Sequence, residues 1–135
     1  MSERIDQFCE NLRLKLTNID NGLNSVKAKV DQKAKDAEQE VRGHLDKVEK
    51  RIESDRAKLT AAQSEAKKWV EERKAATRDK IAEWKAKREK SKLQNRADWA
   101  EQYAAAAIVI AGAAVDEAER AAMEAWLARQ DATPA

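Results

Sequence analysis

Few side chains in this sequence are of the types that do chemistry. His44 is the only histidine and Cys9 the only cysteine, and Asp116, Glu117 and Glu119 form a carboxylate cluster beside an apolar run. An imidazole can serve as acid, base or metal ligand near neutral pH, and clustered carboxylates can hold a cation. Helical bundles that bind two metals do so with Glu-x-x-His pairs, and that motif is absent here. There is no Gly-rich phosphate loop, no Cys/His cluster, and no Ser or Cys nucleophile beside a base. His44, next to the apolar Leu45, reads as structural, and Cys9 reads as a small core residue. No catalytic, cofactor or metal site is expected, so the chain reads as non-enzymatic.

Binding chemistry is better represented. Trp69, Trp84 and Trp99 recur every 15 residues, and Trp126 stands apart. On one continuous helix, 15 residues advance about 60° beyond four turns, so neighbouring members would share a broad face. Such a row either anchors to a membrane or partner surface or fills gaps against a second helix. Lys67, Lys74, Arg78, Lys85, Lys92 and Arg96 would fall on one stripe at about 100° per residue. A basic stripe can touch anionic lipid or nucleic-acid phosphates. No DNA-binding motif accompanies it, and its acidic flank (Glu65, Glu72, Asp79 and Glu83) argues against a purely anionic partner. Nucleic acid is the weakest of these readings.

These residues must be positioned by helices. Ile5, Cys9, Leu12, Leu16, Ile19, Leu23 and Val26 are spaced 3.5 residues apart on average, a heptad. Val26, Val30, Ala34, Ala37, Val41, Leu45, Val48, Ile52, Arg56 and Leu59 continue at 3.67, an eleven-residue repeat in which Arg56 is the exception. A heptad seam supercoils left-handedly and an eleven-residue seam relaxes that twist. Beyond Leu59 the seam thins through Ala62, Ala66, Val70, Arg73, Thr77, Ile81 and Trp84. The pattern predicts a long amphipathic arm over residues 1–90, free to fold back on itself. A break is expected at 91–98, because Asp98 and Glu101 have capping-box spacing. An Ala-rich packing helix follows over 99–130, then a frayed tail over 131–135. Ala104 to Ala111 is apolar all round, the pattern of a buried helix.

Charge adds orientation. Residues 1–63 carry net +1, residues 64–96 net +6 and residues 97–135 net −5. The signs flanking the seam reverse between residues 26–58 and 64–96. Seam-flanking charge helps select helix direction, and two arrangements are complementary: parallel in register, or 26–58 antiparallel against 64–96.

Charged residues make up 39% of the 135 and aromatics 4%, with 3 Gly and 1 Pro. Such a composition belongs to coiled coils and long helices. A lone cysteine excludes an intrachain disulfide and suits a reducing compartment. The N-terminus lacks a signal-peptide core, and the apolar run Tyr103 to Val115 is too short to span a bilayer, which takes about 18 residues or more. The stretch from Trp84-Lys85-Ala86-Lys87-Arg88-Glu89 through Asn95-Arg96-Ala97-Asp98 and Tyr103-Ala104-Ala105-Ala106-Ala107-Ile108 to Asp116-Glu117-Ala118-Glu119 resembles uncharacterised small Ala/Lys/Glu-rich coiled-coil proteins of proteobacteria. That resemblance implies helical architecture and a bacterial cytoplasmic setting, and it carries over no functional residue. The expectation is an all-α scaffold or oligomerisation protein, a homo-oligomer or partner-helix binder in the cytoplasm. An apolipoprotein- or phasin-like binder of lipid or granule surfaces is the alternative.

Overall fold

A computed structural model describes the backbone of residues 3–31 and 35–132, with all of their side chains except those of residues 29–31, 35 and 36. The described chain is all-α, with four helices and no strand. They are α1 (Glu3–Asp31), α2 (Lys35–Ala75), α3 (Arg78–Ala86) and α4 (Lys90–Ala132). The long first helix expected over residues 1–90 is therefore three helices. Val30 and Ala34 of the seam fall outside the described side chains.

The break expected at 91–98 is absent. Nothing in Ser91 to Arg96 stops a helix, and α4 runs straight through Asp98. The two residues with capping-box spacing are used otherwise. Asp98 accepts from Gln94 Nε2 at 3.1 Å, and Glu101 pairs with Arg4 at 3.8 Å. The real breaks flank α3. At its start the Thr77 hydroxyl accepts from the Lys80 amide at 3.2 Å, satisfying one of the amides a helix start leaves unpaired. At its end the Glu89 amide donates to the Trp84 carbonyl at 2.9 Å and the Arg88 amide to Lys85 at 3.2 Å. That is a Schellman closure, and it holds Arg88 at φ 56°. Asp131 and Ala132 complete α4, and the rest of the expected tail lies outside the described residues.

The contacts divide the chain into two units, Met1–Cys9 with Ala57–Ile110, and Glu10–Arg56 with Ala111–Ala135. The second unit is an antiparallel bundle of three helical segments. Gly22 of α1 lies against His44 of α2, while Lys15, further back, reaches Asp55 at 4.0 Å. On the other side His44 meets Glu119 of α4, and Arg51 meets Asp116. Each α2 residue closer to the C-terminus thus finds a partner closer to the N-terminus. Antiparallel partners for α2 in this unit are therefore α1 and the end of α4. The alternative pairing of 26–58 with 64–96 is not how this bundle is built.

Val26, Val41, Val48, Met123 and Leu127 form its buried core, with Leu45, Ile52 and Trp126 packed against it. Ile19 and Ala37 are buried too. Each large side chain buried here contributes about 1.5–3 kcal/mol. The eleven-residue part of the seam is thus spent inside the chain, with Leu59 half-buried at its end.

The heptad part is used on one side only. Of its two alternating rows, Ile5 and Leu12 are half-buried and Ile19 and Val26 buried. Cys9, Leu16 and Leu23 are exposed. Cys9 is therefore not a core residue: its thiol is free and exposed.

The first unit has a thinner core, of Ala62 and Ala106. Leu59, Val70, Ile81, Leu93 and Tyr103 are half-buried. Ala104 to Ile110, expected to be buried on all sides, is only half-covered apart from Ala106, and Ala111 in the other unit is exposed. Among the described residues no helix is long and apolar enough to cross a membrane.

Candidate functional site

The second unit gathers charge into its interior. Asp116 is 1% exposed and Glu119 4%. They are three residues apart on α4, so both turn to the same face, toward α1 and α2. Glu117 between them faces outward and pairs with Arg120.

Donors come from the two other helices. Arg51 of α2 bridges the pair, its Nε donating to Asp116 Oδ1 at 3.1 Å and its Nη2 to Glu119 Oε2 at 3.0 Å. Lys15 Nζ of α1 lies 3.1 Å from Asp116 Oδ2. His44 Nε2 lies 2.6 Å from Glu119 Oε1. All four carboxylate oxygens thus have a nitrogen partner, and two acids face two permanent cations and one imidazole.

Two glycines make room for this. Gly112 is buried on α4, and a Cβ there would stand 3.1 Å from Lys15 Nζ. At Gly22 a Cβ would collide with the His44 ring. The lysine and the imidazole reach the acids by passing over glycine backbone.

This arrangement fixes the register of three helices. Buried ion pairs add little net stability over apolar packing, but breaking one leaves a buried charge without compensation, so they penalise a slipped register. Each of the four carboxylate oxygens already has a nitrogen partner, so the two negative charges are met within the bundle. Among the described residues no group of three or more His, Cys, Asp or Glu could hold a metal. An open depression beside the cluster is lined by Asn11, Leu14, Lys15, Asn18, Ile19 and Arg51, and its two cations are already engaged by Asp116 and Glu119.

The sequence singled out His44, Asp116 and Glu119, and Arg51 lies within the 26–58 stretch whose charges flank the seam. Lys15 was missed. The usable signal was a glycine at each point where a long or planar side chain crosses a helix, Gly22 and Gly112.

The candidate surface residues lie on three helices, not on one. Trp69 lies on α2, Trp84 on α3 and Trp99 on α4, all half-buried. Their equal spacing maps to one face only on a continuous helix, and the breaks at Thr77 and Arg88 remove that helix. Trp69 is further tied locally, its Nε1 donating to Glu65 at 2.7 Å and its ring lying under Lys68 at 4.7 Å. The basic stripe is divided likewise: Lys67 and Lys74 on α2, Arg78 and Lys85 on α3, Lys92 and Arg96 on α4. Lys74 pairs with Glu71 and Lys92 with Glu89.

Exposed pairs also perturb their own acids. The Glu83 carboxyl is held below its ordinary value, chiefly by the hydrogen bond from Lys87, and Glu10 likewise by Arg13. Comparison with protein-family models, with curated proteins and with solved structures gave no match for this chain.

Proposed function

We propose that the chain is a non-catalytic helical scaffold that oligomerises through coiled-coil packing, in the cytoplasmic setting its bacterial resemblance implies. One observation carries this: the heptad of α1 buries the Ile19 and Val26 row in its own bundle and leaves the Cys9, Leu16 and Leu23 row exposed. A heptad whose members all serve one bundle turns both rows inward, so the second row is left for another helix. The half-covered Ala104 to Ile110 segment favours association as well. The charge cluster supports a structural role, because its acids pair with Lys15, His44 and Arg51 from the two other helices of the bundle that presents α1. The division of Trp69, Trp84 and Trp99 among three helices weighs against an anchor row in lipid.

Analytical ultracentrifugation with and without anionic vesicles, alongside circular dichroism, tests this. A helical oligomer in buffer alone is expected. A chain that is monomeric and poorly helical until vesicles are added would overturn the scaffold in favour of a lipid or granule surface.

A further inference from the structure

The exposed row of α1 has a charged row beside it. On the side of Cys9, Leu16 and Leu23 away from Ile19 and Val26, about 40° round the helix, stand Asp6, Arg13, Asp20 and Lys27, and all four are exposed. Their signs alternate along the helix. Arg13 is held on its own helix by Glu10, and Asp20 accepts from Asn24 Nδ2 at 3.4 Å. Both stay at the surface, the Arg13 side chain 62% exposed.

We propose that the occupant of this face is the same face of a second copy of the chain, docked antiparallel about a two-fold axis at Leu16, which rests on the oligomerisation proposed above. A two-fold axis perpendicular to both helices makes each row meet itself in reverse order. Leu16 then meets its symmetry mate and Cys9 comes level with Leu23. Arg13 comes level with Asp20 to within about 1.5 Å, one residue's rise, and Asp6 comes level with Lys27 likewise. Every charge on the row meets its opposite. A parallel pair would turn each charged row toward the partner's Ile19 and Val26 side, which is buried in its own bundle. The apolar contact is narrow, so the dimer is weak and concentration-dependent.

The full chain is the test material. Sedimentation equilibrium over a concentration series should give a dimer. Leu16→Glu puts two carboxylates on the axis and should lower association at least about tenfold, with circular dichroism unchanged because Leu16 is 43% exposed. Arg13→Glu and Asp20→Arg should each weaken the dimer about tenfold, since the axis repeats each change, and the double variant should recover it. On oxidation, Leu23→Cys beside native Cys9 should give covalent dimers, and Leu23→Cys with Cys9→Ser should not. A 23-to-23 crosslink, or a double variant no better than its parents, overturns the antiparallel docking. An oligomer indifferent to Leu16→Glu overturns this surface and leaves oligomerisation standing. A wild-type chain that is monomeric at every concentration overturns both.

Discussion

At Gly22 a Cβ would stand 2.5 Å from Cε1 of His44 and 3.1 Å from its Nε2, whereas at Gly43 it would meet nothing within 4 Å. Both glycines sit inside helices, where alanine is favoured by about 1 kcal/mol. The same substitution should therefore act with opposite signs. Gly43→Ala should stabilise by about that amount. Gly22→Ala must push the imidazole off Glu119, and losing a hydrogen bond to a buried charge costs about 1.5–3 kcal/mol, so the net effect should be destabilising by about 0.5–2 kcal/mol. Urea unfolding of the two variants checks the sign. The charge cluster predicts a second asymmetry, because its acids are buried while the Lys15 and Arg51 side chains are 30% and 36% exposed. Arg51→Met strands an oxygen on each of two buried acids and should cost about 3–5 kcal/mol. Asp116→Leu leaves Arg51 on Glu119 and releases Lys15, which can turn into water, and its cost should be about 1–2 kcal/mol. Equal costs in chemical denaturation would mean that the released Lys15 cannot reach solvent.

At the scale of the element, α3 shows most clearly what fixes a helix here. It has nine residues and none is buried, so its ends decide its stability. Arg88 occupies the left-handed position that closes it, with φ 56°, a conformation costly for any residue with a Cβ. Arg88→Gly should stabilise by about 1 kcal/mol, and Thr77→Ala should cost about 1 kcal/mol through loss of the cap. Both are readable from thermal melts. Glu83 adds a pH dependence: its folded carboxyl titrates below the ordinary value because Lys87 donates to it. The stabilisation is therefore present above the unfolded-state value and fades as pH falls through the lowered one. NMR titration of Glu83 should shift upward in Lys87→Ala. These ends also explain what the sequence hid. The apolar periodicity of Ile19, Val26, Val41 and Val48 reports burial directly, because spacing alone sets the face. The breaks were not legible, since Arg88 closes a helix where glycine is the usual marker, and Thr77 caps with Lys80, not an acid, three residues on. Asp98 and Glu101 had the right spacing and were recruited by Gln94 and Arg4. The charge cluster was half legible: its acids stood out, but Lys15 becomes a partner only once α1 folds back on α2.

For the whole molecule, the two units differ in what holds each together. The second buries Val26, Val41, Val48, Met123 and Leu127 around one core and locks its register with four polar contacts to Asp116 and Glu119. Among the described residues, the buried hydrophobic side chains of the first are two alanines, Ala62 and Ala106. Burial scales with apolar area, and an alanine offers little, so the local free energy of opening must differ between them. Amide exchange resolves such differences, because each segment exchanges through its own opening reaction. The slowest amides should lie in residues 41–52 and 119–127, in the second unit. Those of α3 should be the fastest of the interior helical amides, with protection at least about a hundredfold lower. Arg51→Met should bring the protected segments of the second unit down together, since the register lock and the apolar core share the same three helical segments. It should leave α3 where it is. Uniform protection across both units, or an equal fall of α3 in that variant, would show that the chain opens as one cooperative body and that the alanine core of the first unit is as well held as the valine core of the second.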